Sequence, residues 1–245
     1  MRTGWFKAVH IKSWNSQAVR ALLAARSQLV GIRVRLENEV RGLLETVGVR
    51  LGKGVGGFAR RAEEAVCREI DLPEEVQLAI ESLLGAGQTI KARLAILDGR
   101  LRRLARDSAT CRLLMTVPGV GPIVALSVRS VLDDVSRFQR SSSAGAYLGL
   151  TPRRYASGEI DRMGRITKRG DRMTRTHLYE AANVLLTREI GFSRLKAWGL
   201  RIAKRAGFKK AKVAVARKLA VILHAMWKSR RASVGASPRQ RKGDP

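Results

Sequence analysis

Acid is what this chain lacks most. Its 245 residues hold 20 Asp and Glu against 48 Lys and Arg, a formal net charge of +28. Such a charge repels itself unless a polyanion neutralises it, and nucleic acid is the polyanion that fits. An ordinary metabolic enzyme is excluded as the default. Cysteine is nearly absent: Cys67 and Cys111 cannot build a disulfide framework or a four-cysteine zinc site. They read as small buried hydrophobes in a reducing compartment. The histidines His10, His177 and His224 lie far apart and near neither cysteine, so no metal site is expected. Aromatics make up 5% of the chain against an apolar fraction of 45%. A core of Leu, Val, Ile and Ala favours helices over a β-sandwich. No run approaches the roughly 18 apolar residues of a membrane span. Met1–Ser13 has no apolar signal core. The sequence thus reads as a soluble cytoplasmic protein, associated with the nucleoid through its charge, with no membrane partner.

The positive charge is unevenly placed. Residues 162–245 hold 23 Lys and Arg against 4 Asp and Glu, a net of +19, whereas residues 1–161 carry +9. In the last third the cations alternate with apolar residues at helical spacing, which suits a phosphate-binding surface.

Trp5–Ile11 reads as a short strand with no partner nearby, so its backbone groups have nowhere to pair. Ser16 is a candidate N-cap for a long helix reaching about Thr46, in which Leu22, Leu29, Leu36 and Leu43 recur every seventh residue. A glycine-rich break and a short amphipathic helix over about Phe58–Ile70 follow. Asp71-Leu72-Pro73 opens the next helix. Val76, Ile80, Leu83, Gly87, Ile90, Leu94, Leu97, Leu101, Leu104, Ser108 and Cys111 alternate spacings of four and three, a heptad seam over about five repeats. The two long helices predict an antiparallel coiled-coil hairpin with a seam left for a second copy. Farther on, Lys209–Arg231 forms a basic helix with Val213, Ala216, Ala220, Leu223 and Trp227 on one face, and a structureless tail is expected from Ala232.

Two stretches carry chemistry. Leu114–Leu126, with Pro118-Gly119-Val120-Gly121-Pro122 at its centre, has the pattern of a helix-hairpin-helix. There Gly119 and Gly121 would let backbone N–H groups approach a DNA phosphate at a helix N-terminus. The second stretch, Arg153–Arg172, reads as a loop too polar for a core and carries Arg153, Arg154, Arg162, Arg165, Lys168, Arg169 and Arg172 around Ser157-Gly158. A serine among cations suits attack on a phosphodiester, the guanidinium groups stabilising charge on the pentacoordinate transition state. No histidine lies nearby to take the serine proton. Asp133-Asp134 reads as a helix end or turn.

Val117-Pro118-Gly119-Val120-Gly121-Pro122, Tyr147-Leu148-Gly149-Leu150-Thr151-Pro152-Arg153, Ser157-Gly158 and Gly164-Arg165-Ile166-Thr167-Lys168-Arg169-Gly170-Asp171 occur in that order. Together they resemble the C-terminal domain of the insertion-sequence-110 transposases, the serine-dependent, bridge-RNA-guided recombinases. The resemblance spans about Leu113–Leu186. It implies that Ser157 is the nucleophile, that DNA and a guide RNA are partners, and that the intact enzyme uses Mg²⁺. The family's magnesium-binding acids, the DEDD set of a RuvC-like domain, lie upstream of the stretch with which this chain opens and map onto no residue here. The chain therefore reads as N-terminally truncated or as starting at a misplaced or internal start codon, and as inactive alone.

The expected class is all-α. Residues 1–14 are the last strand of the RuvC-like domain, 15–112 the coiled-coil region, 113–188 the transposase domain, 189–231 a basic helical extension and 232–245 a tail. The rival reading is a catalytically dead module that only binds nucleic acid and dimerises. A tyrosine recombinase is disfavoured, because Tyr147, Tyr155 and Tyr179 follow no Arg-His-Arg set.

Overall fold

A computed structural model describes residues 9–52, 56–68, 72–188 and 193–235. The chain divides into two compact units, Leu22–Arg100 and the combination of Met1–Ala21 with Leu101–Pro245. Helices dominate both, as the composition predicts.

In the first unit, helix α1 (Trp14–Thr46) and helix α3 (Glu74–Asp107) run antiparallel, with the short α2 (Phe58–Arg68) against one end. Arg26 Nε donates to Asp98 Oδ1 at 2.5 Å. Toward the other end, Val40 and Leu44 share a cluster with Ile80, Leu84 and Ala62, so residues late in α1 meet residues early in α3. Gly48, at φ +84°, closes α1: its N–H reaches the Glu45 carbonyl and the Val49 N–H the Leu44 carbonyl. This is a glycine stop of the left-handed type. The buried stripe differs from the predicted one by a residue. Leu23, Val40 and Leu44 are enclosed, while Leu22, Leu29, Leu36 and Leu43 are half-buried. Along the predicted seam of α3, Ile80 and Leu94 are buried, at 0% and 7% exposed, while Val76, Leu83, Ile90 and Leu97 are half-buried. The apolar side chains that α3 does leave open are Leu78 and Ile96, which lie off that seam.

The second unit opens with a break that the heptad pattern concealed. Ser108 ends α3 and caps α4 (Ala109–Leu114), its Oγ accepting the Cys111 N–H at 3.2 Å. Then come α5 (Pro122–Leu132), a single 3-10 turn at Val135–Arg137, and α6 (Ser142–Tyr147). An antiparallel pair follows, β1 (Pro152–Ser157) and β2 (Ile160–Ile166), then α7 (Arg172–Thr187), α8 (Arg194–Ala206) and α9 (Phe208–Gly235). Helix α5 is buried on nearly every side, from Val124 to Leu132 with only Arg129 half-exposed, so it forms the centre of this unit. Its buried hydroxyls are satisfied: Ser127 Oγ meets Thr174 Oγ1 of α7 at 2.8 Å, and Ser130 Oγ donates to the Ser127 carbonyl. Helices α7 and α8 pack on α9 through Ala211, Val215, Ala216, Leu219, Ala220 and Leu223. Small residues permit a close approach. A Cβ on Gly199 of α8 would stand 2.7 Å from Leu186 and Val215 side chains.

Several expectations need correction. Ser16 is not the cap of α1. The helix begins at Trp14, and Ser13 Oγ accepts the Ser16 N–H at 3.3 Å. Arg153–Arg172 is a β-hairpin and helix start rather than a loop, the one departure from all-helical structure among the described residues. Helix α9 continues past Ala232 to Gly235, and the rest of the expected tail lies outside the described residues. So does most of the strand expected at Trp5–Ile11, and the described residues 9–13 form no strand. Cys67 is exposed, whereas Cys111 is buried and its thiol is pushed up by that burial.

Candidate nucleic-acid interface

The hairpin is built on an unusually tight root. Gly149 (φ +67°) and Gly170 (φ +104°) lie where two backbone segments press together: a Cβ on Gly149 would collide with the Arg169 backbone, and one on Gly170 with the Tyr147 carbonyl. Across this root the Lys168 N–H donates to the Gly149 carbonyl at 3.0 Å and the Thr167 N–H to the Thr151 carbonyl at 2.9 Å. Lys168 pays for the geometry with a left-handed φ of +56°. Arg175 Nη1 ties the same place from below, donating to the Leu148 and Gly170 carbonyls at 3.2 and 3.1 Å.

From that root the ribbon projects into solvent. Every residue of β1 is exposed. Arg154 pairs with Met163, Tyr155 with Arg162, Ala156 with Asp161 and Ser157 with Ile160, and one extra residue in β2 makes a bulge near the root. The turn is Gly158-Glu159, with Gly158 at φ +53°. Ser157 therefore stands at the tip, the last residue of its strand.

Strand alternation gives the ribbon two faces. One carries Arg154, Ala156, Asp161 and Met163. There Arg154 grips Asp161 through two parallel bonds, Nε to Oδ1 at 2.8 Å and Nη2 to Oδ2 at 2.9 Å. That hydrogen bond pushes the guanidinium pKa up, and it makes Arg154 a strut of the ribbon rather than a free phosphate ligand. The other face carries Tyr155, Ser157, Arg162 and Gly164. Arg153 Nη2 reaches the Thr167 carbonyl at 3.4 Å. Arg162, Arg165, Lys168, Arg169 and Arg172 are exposed. None of these five has a carboxylate within ion-pair distance among the described residues.

The glycine turn lies elsewhere. Gly119 (φ +85°) faces inward, where a Cβ would stand 2.7 Å from the Ala181 carbonyl of α7. Its lack of a side chain is thus explained by helix packing. Gly121 is open and begins α5 with no side-chain cap. Ala181 is nine residues from the start of α7, so this turn and the ribbon root are about 14 Å apart along that helix. The structure joins the seven predicted cations and Ser157 on one arm and its root. It does not bring Gly119 or Gly121 to them.

Two aspartates that sequence reasoning left without a site role hold residues 10–20, at the start of α1, which belong to this same unit. Asp133 accepts from His10 Nε2 (2.9 Å), the Ser13 N–H (2.9 Å), Ser13 Oγ (2.6 Å) and Ser16 Oγ (2.5 Å). Burial alone would raise its pKa, but the bonds from Ser13, Ser16 and His10 outweigh that and hold the carboxyl well below its ordinary range. Asp171 caps α7, accepting the Thr174 N–H at 2.7 Å, and pairs with Arg20. Burial opposes its ionisation too, and Arg20 and Thr174 reverse the balance and lower its pKa. An acidic residue before a helical run is a cap signal that the sequence offered. The partners 151 and 117–123 residues away gave no signal.

A family model described as transposase IS116/IS110/IS902 family matches residues 111–195, which include both glycine-rich turns and the whole ribbon. The transposase for insertion sequence element IS1111A of Coxiella burnetii is 33% identical over 221 residues, covering 88% of this chain and 60% of that protein. The transposase for insertion sequence element IS1328 of Yersinia enterocolitica is 30% identical over 185 residues, 75% of this chain and 55% of that protein. The chain thus spans somewhat more than half the length of these relatives. No helix among the described residues is long and apolar enough to cross a membrane. By these likenesses residues 111–195 are a transposase domain of the IS116/IS110/IS902 family.

Proposed function

We propose that the chain is the strand-cleaving part of an insertion-sequence transposase, acting in DNA transposition and recombination with Ser157 as nucleophile. The observation that carries this reading is the position of Ser157, at the tip of an exposed cationic ribbon on a rigid root. Ser157 Oγ bonds to phosphorus while the bond from phosphorus to a sugar oxygen breaks. The net transfer moves the serine proton to that oxygen and leaves a phosphoserine. Exposed Arg162, Arg165, Lys168, Arg169 and Arg172 supply charge for the substrate phosphates. Gly121, at the uncapped start of α5, offers backbone N–H groups to a second stretch of the same DNA.

The family resemblance implies a guide RNA and Mg²⁺ in the working assembly, and the heptad spacing of the long helices implies a second copy of the chain. The described residues do not fit the metal: no group of three or more His, Cys, Asp or Glu could hold one. Asp161, Asp171 and Asp133 are already engaged by Arg154, Arg20 and the Ser13–Ser16 hydroxyls. The chain alone is inactive in this reading.

A covalent-trapping experiment decides. The chain is incubated with the family's acidic N-terminal domain, guide RNA, Mg²⁺ and insertion-sequence-end DNA, then run on a denaturing gel. Protein–DNA adducts are expected with the wild type and none with Ser157→Ala, whose DNA affinity stays near that of the wild type because a neutral hydroxyl adds little beside charged contacts. Adducts surviving Ser157→Ala would overturn the nucleophile. Adducts formed by the chain alone would overturn its inactivity.

A further inference from the structure

The ribbon poses a structural question. A two-stranded hairpin is marginal on its own, and this one buries no face of β1 against the helices. Its residues are not there to complete a core. The face that carries Ser157 also carries Tyr155, two residues back on the same strand and so about 7 Å away. Tyr155 is 57% exposed, yet its ring is not loose. A Cβ on Gly164 would stand 2.7 Å from Tyr155 Cε2, so the ring lies across the bare backbone of the opposite strand. Gly164 thus leaves the space that fixes the ring, and the outer surface of the ring remains open. Directly opposite in register is Arg162, exposed. Of the ribbon's two acids, Asp161 faces the other side and is held by Arg154, and Glu159 stands exposed in the turn beyond Ser157.

We propose that Tyr155 is a stacking platform for an unpaired DNA base next to the phosphate presented to Ser157. The proposal deepens the reading of Ser157 and shares its assumption that this face meets DNA. An aromatic ring held flat on a backbone, open on one side and flanked by Arg153 and Arg162, is the arrangement that single-stranded nucleic acid binds through stacking and phosphate contacts. The 7 Å separation places the platform beside the serine rather than under it. Tyr155 is then a positioning residue: it holds the strand, and Ser157 does the chemistry. An exposed tyrosine that merely covers a glycine would show no preference for open bases.

The test uses the chain itself and requires no cleavage. The probes are a paired DNA duplex and the same duplex with a central three-base bubble carrying 2-aminopurine. The wild type and Tyr155→Phe are expected to quench the probe and to bind the bubble equally. Tyr155→Ala is expected to lose quenching and about tenfold in bubble affinity, with affinity for the paired duplex and the salt slope unchanged. Bubble affinity of Tyr155→Ala within twofold of the wild type would overturn the proposal. So would an equal loss on the paired duplex, which would mark the ring as part of the ribbon's structure. A Tyr155-dependent preference for an RNA bubble over the DNA bubble would overturn the assignment to DNA. Failure of the serine reading shows in the adduct gel and leaves this binding pattern untouched, so the two are separable.

Discussion

The junction at Asp133 gives the sharpest test of how this fold is held. Asp133 lies at φ +59°, ψ −62°, and the Asp134 N–H donates to the Leu132 carbonyl at 2.7 Å. That is a γ-turn of the rare, strained hand, which costs a non-glycine residue about 1–3 kcal/mol. An aspartate is kept there because its carboxylate gathers four donors from residues 10–16. Removing the carboxylate strands the hydroxyl of Ser16, which is 8% exposed, at about 1–3 kcal/mol. Ser13 is exposed and rehydrates, so its loss is smaller. Asp133→Ala should therefore weaken the start of α1 by about 3 kcal/mol, which is about a hundredfold in local opening at 1.4 kcal/mol per decade. Asp133→Gly should lose about 1 kcal/mol less, because glycine accepts positive φ without strain. Hydrogen exchange over residues 13–21, read by mass spectrometry, reports that opening directly. The carboxyls of Asp133 and Asp171 lie below their unfolded value, so their contribution is complete above about pH 3.9 and is lost as pH falls through the lower folded values. Protection of this segment should accordingly be flat from pH 7 to about 5 and collapse below about 4. Protection changed by less than twofold in Asp133→Ala, or Ala and Gly variants alike, would refute the reasoning.

Two further outcomes are expected. Gly170→Ala should destabilise the ribbon root through its collision with the Tyr147 carbonyl and its positive φ, with exchange of the Thr167 and Lys168 amides rising at least tenfold, whereas Gly158→Ala in the open turn should raise it little. Neutralising the exposed Lys204, Arg205, Lys209 and Lys210 at the α8–α9 corner should flatten the salt dependence of duplex binding by about 0.9 per cation that contacts phosphate, measured as the slope of log affinity against log salt; an unchanged slope would remove that corner from the binding surface.

The helical skeleton was legible because its signals are local. Gly48 stops α1, Pro73 precedes α3, and apolar spacing marks the buried stripes to within a residue. The break at Ser108 was hidden by its own position. The serine falls on a seam position of the heptad, so a cap looked like a polar interruption. The ribbon was hidden for a different reason. Period-two alternation is visible only when one face of a strand is buried, and β1 buries none, so Arg153, Arg154 and Tyr155 read as loop. Order and spacing of motifs still placed Ser157 and its cations together. What the sequence could not show was that Gly119 faces α7, or that Arg154 is held by Asp161, because both depend on contacts made only after folding.

The same folded contacts explain how a chain with so few acids distributes them. Every aspartate within residues 113–188 is engaged inside the protein. Asp133 gathers the start of α1, Asp134 accepts from the Ser136 N–H and hydroxyl, Asp161 braces the ribbon, and Asp171 caps α7 while holding Arg20. Had these carboxylates been free on the surface, they would have repelled phosphate and compensated the nearby arginines. Spent as they are, they rigidify the structure, and Arg162, Arg165, Lys168, Arg169 and Arg172 have no carboxylate partner among the described residues. Asp171 does both at once, following the ribbon root directly in sequence and fixing α1 through Arg20. The charge imbalance with which the sequence opens is therefore an arrangement: the aspartates of this stretch bind the frame, and the cations of the ribbon and its root are left for a polyanion to neutralise.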